Sequence, residues 1–179
     1  MLFRSTMLDL LLHRRSIRKF TSEPIAEADL QKILQAGLLS PSGRNKTPWE
    51  FVVVQDKASL QALGKCRHPE QPFLPDTPLA IVVLGDTSAT DVWIEDCAIA
   101  MTIMQLEAEI LGLGSCWVQV RNRMAQGENQ TADAYIKTLL SVPDYYEVLA
   151  VLAIGHPNEE KAPHTLEQLQ CDKIHRETF

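Results

Sequence analysis

No window of this 179-residue chain reaches the roughly 18 apolar residues that a membrane-spanning helix needs, so a soluble protein is expected. Cations are not in excess either. Lys and Arg number 17 against 23 Asp and Glu, giving a formal net charge of -6 and a sequence pI near 5.3. That balance argues against nucleic acid or an anionic membrane as partner, since both require a broad basic surface. The four cysteines (Cys66, Cys97, Cys116, Cys171) are too scattered for a disulfide framework, and three lie in apolar segments. They read as reduced thiols of a cytoplasmic protein. Cys171 and His175 have helical metal-pair spacing, but no second pair completes a site, and none is expected. Neither a G-x-S-x-G elbow nor an H-E-x-x-H helix occurs. The paired carboxylates Glu95–Asp96 and Glu159–Glu160 have no assignable partner and read as solvated positions. A last absence is local: no carboxylate occurs between Asp9 and Glu23.

Into that gap the chain puts four of its 17 cations, Arg14, Arg15, Arg18 and Lys19, within "HRRSIRKFTSEP". With Ser16 they form the donor set that a phosphate monoester wants, guanidinium forks and a hydroxyl. Cations just after a helix are also favoured by its C-terminal dipole with no ligand at all. The stretch alone does not choose between the two. The start, "MLFRSTMLDLLLHRRS", is too short in apolar run for a signal peptide, while its arginines and single acid leave a transit peptide open.

One domain over 1–179 is the expectation at this length and 45% apolar composition. Met7 to Leu12 suggest a short helix ending near His13. In "SEPIAEADLQKILQAGLLS", Leu30, Ile33, Leu34 and Leu38 share a helical face. "WEFVVVQD" and "LAIVVLGD" read as strands, the second buried on both faces. "KASLQALGKC" is a short helix with Asp56 as N-cap, and the four prolines of residues 67–78 make a loop. From about Asp91 to Leu111 runs a helix apolar around much of its circumference, expected at the centre of the core. Gly112 and Gly114 read as its C-terminal caps. "SCWVQV" is a third strand, "TADAYIKTLLS" a helix capped by Thr131, and "EVLAVLAIG" a fourth strand. Beyond Gly155 an arm of about 156–179 is too polar to make a core of its own. The fold class is α+β.

Two further segments can carry chemistry. In "SPSGRNKTPW", Gly43 permits close backbone approach, Asn45 can donate and accept, and Pro48 stiffens the exit. Taken alone, a plain helix-to-strand connection explains it better. "GLGSC" at 112–116 follows a helix and lacks a third glycine, so it is no dinucleotide fingerprint. It could expose backbone N–H groups to a flat ligand, although a helix cap is the simpler account.

In their order, "RRSIRKF", "PSGRNKTPWEFVVV", "GLGSCW" and "AIGHPNEEKAPH" make nearly the whole chain resemble the FMN-dependent nitroreductase family, at the short end of its length range. The resemblance implies a mainly antiparallel four- to five-stranded sheet flanked by helices. It also implies a homodimer with flavin at the subunit interface and the C-terminal arm exchanged. Arg14 and Ser16 would bind the FMN phosphate, Arg15 the phosphate or ribityl region, and Arg18 the N1/O2 edge of the ring. Ser42, Gly43 and Asn45 would come from the partner subunit. Gly114 or Ser115 would offer an N–H toward N5, and Gly155 and Lys161 would complete the cofactor-binding set. Two departures stand out. Thr47 replaces a usual Gln before Pro-Trp, and only Lys161 and His164 are available where the arm often carries an arginine.

The activity implied is hydride transfer from NAD(P)H through FMN to an electrophilic acceptor such as a nitroaromatic or quinone. No catalytic side chain is required, because the chemistry is the flavin's. Alternatives are a flavin-binding or regulatory dimer without turnover, a deiodinase-like or flavin-fragmenting enzyme of the same fold, and an α+β protein binding another phosphorylated ligand.

Overall fold

The computed structural model describes residues 6–127 and 129–179; the first five residues of the start that leaves a transit peptide open lie outside them. Helix α1 (Met7–His13) is opened by a reciprocal capping box in which Thr6 and Asp9 satisfy each other's backbone N–H groups. Helix α2 spans Glu27–Leu38, strand β1 Trp49–Val54, helix α3 Lys57–Leu63 and strand β2 Leu79–Asp86. Helix α4 (Trp93–Ile110), strand β3 (Gly114–Gln119), helix α5 (Ala132–Leu140) and strand β4 (Tyr146–Gly155) complete the order. Asp56 and Thr131 cap α3 and α5 as their sequences predict, each side chain accepting from a backbone N–H three residues on.

The four strands form one antiparallel sheet in the order β1-β2-β4-β3. β2 and β4 are its central strands, which is why their sequences are continuously apolar: both faces are covered. On one face Ile81, Val83, Leu152 and Ile154 pack with α2 and α4. On the other, Val82, Cys116, Val151 and Ala153 pack with α3 and α5. Ile17 and Phe20, from the cationic segment, belong to that second core.

The expected elements are present, with two corrections. Leu38 is exposed, because the α2 position facing Met104 and Phe51 is taken by Gly37. Gly112, with φ 76°, ends α4 in the left-handed conformation that glycine tolerates, but Gly114 is not a cap; it is the first residue of β3. No helix among the described residues is long and apolar enough to cross a membrane.

Candidate functional site

The cationic segment leaves α1 at Arg14 and crosses the ends of two strands. Ser16 bridges in parallel to Ser115 at the start of β3, with Ile17 N donating to Ser115 O at 3.0 Å. Phe20 bridges to Pro157 just beyond β4, and Thr21 N donates to His156 O at 2.9 Å. Ile17 and Phe20 are the pegs that fix this course. Burying an aliphatic or aromatic side chain of that size is worth about 1.5–3 kcal/mol, and the polar residues between them are thereby held outward.

Two glycines make the docking possible. Gly114 and Gly155 are direct partners across the β3–β4 pair. A Cβ on Gly114 would stand 2.8 Å from Ile17 Cβ, and one on Gly155 2.8 Å from the Phe20 ring and 2.7 Å from Pro78. Both sites are therefore occupied by the cationic segment's own apolar pegs.

The arm closes the arrangement from the other side. Asn158 N donates to Lys19 O at 2.8 Å, and His164 N to Leu12 O at 2.8 Å. Arg15 donates through Nη1 to the Ala162 carbonyl. Lys161 Nζ donates to Ser16 O at 2.5 Å and lies 3.5 Å from Glu159 Oε1. That same Oε1 accepts from the backbone N–H of Arg18 at 2.5 Å and of Lys19 at 3.2 Å. The Arg18 amide above all, with Lys161 beside it, holds the Glu159 carboxyl below the usual glutamate range. The arm up to His164 thus lies on its own chain. Only residues beyond His164 are left for the exchange that the resemblance implies, and there Leu166, Leu169, Ile174 and Phe179 are all exposed.

Three segments far apart in sequence therefore converge: residues 14–20, the Gly114–Ser115 strand start, and the arm from Gly155 to Lys161. Their charges converge too. Burial pushes the Cys116 thiol up, but Arg18, Lys161 and Arg14 are all close enough to pull it the other way. Among the described residues the guanidinium groups of Arg14 and Arg18 meet no hydrogen-bond acceptor, whereas Arg15 and Lys161 are engaged. Two guanidinium forks with no acceptor among the described residues, carried on either side of Ser16, are a donor set suited to a phosphate.

The fourth predicted segment stands apart. Ser42, Gly43 and Asn45 lie in a loop between α2 and β1, and their hydrogen bonds do not reach the cationic segment. Gly43 N donates instead to Asp96 Oδ1 in the first turn of α4, at 2.9 Å, and Thr47 N donates to Ser42 Oγ at 2.9 Å. Asn45 is exposed.

Two carboxylates read as solvated on the sequence have distant partners instead. Asp96 is buried and Glu159, half-buried, accepts from two backbone N–H groups, while Glu95 and Glu160 are exposed as expected. Neither had a local signal, since their backbone partners lie 53 and 141 residues away. Ile17 and Phe20 did have one: they are the apolar members of "RRSIRKF", three residues apart.

Comparison with known proteins agrees at the level of family. A family model described as "Nitroreductase family" matches residues 11–156. The chain is 35% identical over 177 residues to an Archaeoglobus fulgidus protein named as a putative NADH dehydrogenase/NAD(P)H nitroreductase, covering 96% of this chain and 98% of that one. It is 27% identical to the Bacillus subtilis protein named FMN reductase [NAD(P)H], covering 85% of this chain and 66% of that one. The solved structure of an FMN-dependent nitroreductase from Clostridium difficile superposes with a TM-score of 0.93 at 45% identity, covering 97% of this chain and all of that one.

Proposed function

This chain belongs to the Nitroreductase family, and on that footing we propose that it is an FMN-dependent oxidoreductase coupling NAD(P)H to an electrophilic acceptor such as a nitroaromatic or a quinone. The observation that carries the proposal is the pair of unengaged guanidinium groups, Arg14 and Arg18, flanking Ser16 on a backbone held where three distant segments meet. FMN, when bound, supplies the two-electron chemistry between nicotinamide and acceptor.

Everything else falls to the chain's own residues. Arg14 and Ser16 hold the phosphate through charge-assisted bonds, which are stronger than neutral ones. Arg15 spends one donor on Ala162 and has further N–H groups for the phosphate or ribityl region. Lys161, occupied by Ser16 O, acts chiefly by fixing the segment and adds positive charge near the phosphate. Arg18 presents a cation to the ring edge where electron density accumulates on reduction. Gly114 and Gly155 serve by letting Ile17 and Phe20 dock, and Ser115 lines the same strand start.

The site is completed by a second copy. Ser42, Gly43 and Asn45 do not reach the cationic segment within one chain, and a partner subunit supplies them. Uncovered apolar side chains support the same reading: Met7, Leu8 and Leu11 on α1, Leu38 and Leu39 at the end of α2, and Ile99 and Ile110 on α4 are all exposed. Three buried free thiols suit a reducing, cytoplasmic setting. The test is initial-rate kinetics with NADPH or NADH against nitroaromatic and quinone acceptors. Parallel double-reciprocal lines, the pattern of a two-stage exchange, are expected; no NAD(P)H consumption with any such acceptor would overturn the proposal.

A further inference from the structure

Asp96 is 4% exposed and sits in the first turn of α4, where the helix dipole favours an acid. One of its oxygens, Oδ1, accepts from Gly43 N; the other, Oδ2, is buried and has no donor among the described residues. A buried carboxylate with an orphaned oxygen costs stability, so its presence calls for a reason at the oxygen that is engaged.

That reason lies in the loop. Arg44 (φ 52°, ψ 26°), Asn45 (φ 56°) and Thr47 (φ 43°) are all left-handed. Non-glycine residues enter this region rarely, and a β-branched threonine is an outlier there. Such a run persists only where the surroundings over-determine it. Most of the loop's bonds are internal: Asn45 N to Ser42 O at 3.1 Å, Lys46 N to Gly43 O at 3.1 Å, and Thr47 N to Ser42 Oγ. They shape the loop but do not attach it. Attachment comes at its exit, where Pro48 O accepts from Asp86 N at 2.8 Å, and at its apex from Asp96. The approach to α4 is so close that a Cβ on Gly43 would stand 2.9 Å from Val92 Cγ2.

We propose that Asp96 is a positioning residue for the flavin: through the Gly43 amide it tethers the strained Ser42–Thr47 loop so that Ser42 and Asn45 are presented in fixed geometry. The cofactor role of the loop rests on the function proposed above; the tether itself does not.

The experiment uses Asp96→Ala, which removes the acceptor, and Asp96→Asn, whose amide oxygen keeps one for Gly43. Limited trypsin digestion of the FMN-free proteins, mapped by mass spectrometry, reads the tether directly, because Arg44 and Lys46 are exposed within the loop. Cleavage after Arg44 and Lys46 should rise about tenfold in Asp96→Ala, with other sites unchanged, and stay at the wild-type rate in Asp96→Asn. FMN affinity should fall about 10- to 100-fold in the alanine variant and remain within about threefold in the asparagine variant. At saturating FMN the flavin band should shift in the first and not in the second. Should Asp96→Ala not fold, Asp96→Ser, too short to reach Gly43, takes its place. Equal loop cleavage in all proteins, or wild-type FMN binding without the acceptor, overturns the proposal. Wild-type protein that binds no FMN overturns the proposed function instead, and the digestion still decides the tether.

Discussion

Glu159→Ala tests the clamp that joins the arm to the cationic segment. The substitution removes the acceptor for two backbone N–H groups, Arg18 at 2.5 Å and Lys19 at 3.2 Å, and the counter-charge of Lys161 at 3.5 Å. The ion pair is partly solvated and contributes little, at most about 1 kcal/mol. A hydrogen bond to a charged group is worth about 1.5–3 kcal/mol, but an amide at the surface regains water when released. Together the loss should be about 1.5–3 kcal/mol, which lowers Tm by about 3–12 °C for a chain of this size. Glu159→Gln keeps a neutral acceptor and should lose about half as much. The pH dependence carries a sign. The folded state holds the Glu159 carboxyl below its usual range, so the stabilisation is fully present above the unfolded value of about 4.3. It disappears as pH falls through the folded value. Differential scanning fluorimetry should therefore show a constant gap between wild type and Glu159→Ala near neutral pH, closing in acid below about pH 4.3. Coincident melting at neutral pH, or a gap that widens in acid, would refute the clamp.

The remaining predictions concern the cofactor and the assembly. Arg14→Ala should weaken FMN binding about 30-fold or more, since truncating one partner of a charge-assisted pair costs about 2–5 kcal/mol. Lys19→Ala, which keeps the backbone bonds to Glu159 and Asn158, is the control, and fluorescence titration of the FMN-free protein reads both. Arg18→Ala should lower the flavin midpoint potential, because a cation at the ring edge favours the reduced form; an unchanged potential by spectroelectrochemistry places Arg18 elsewhere. Gly114→Ala forces Ile17 to shift from a 2.8 Å approach and should cost about 1–3 kcal/mol in a denaturant melt. Sedimentation should show a dimer at micromolar concentration, and a stable FMN-loaded monomer would contradict a site shared between subunits.

The parts of this fold legible in the sequence are those set by local pattern. β2 announced itself as a strand covered on both faces by its unbroken apolar run, α4 by its length, and α3 and α5 by Asp56 and Thr131 at their starts; that β4 lies beside β2 at the centre was not legible. Leu38 was misplaced because periodicity gives a face but not its rotation; Gly37, not a larger side chain, lets α2 approach Met104 and Phe51. The site divides along the same line. Its cations stood out as a cluster without nearby acids, and the order of four short motifs gave them meaning. Asp96 and Glu159 did not stand out, because one carboxylate in a charged pair looks solvated until its distant backbone donor is known. Gly114 was misread for a related reason: the neighbouring Gly112 does end the helix, which hid that Gly114 answers to Ile17.

The visible spectrum of the purified protein before and after anaerobic NAD(P)H tests the central claim most directly. A flavin absorption band that co-purifies, or appears on adding FMN, and bleaches with NADH or NADPH is the expected result. A band that forms but does not bleach would mean binding without turnover. A protein that takes up no FMN at all would contradict the account at its root, leaving Arg14, Ser16 and Arg18 as no more than the end of a helix.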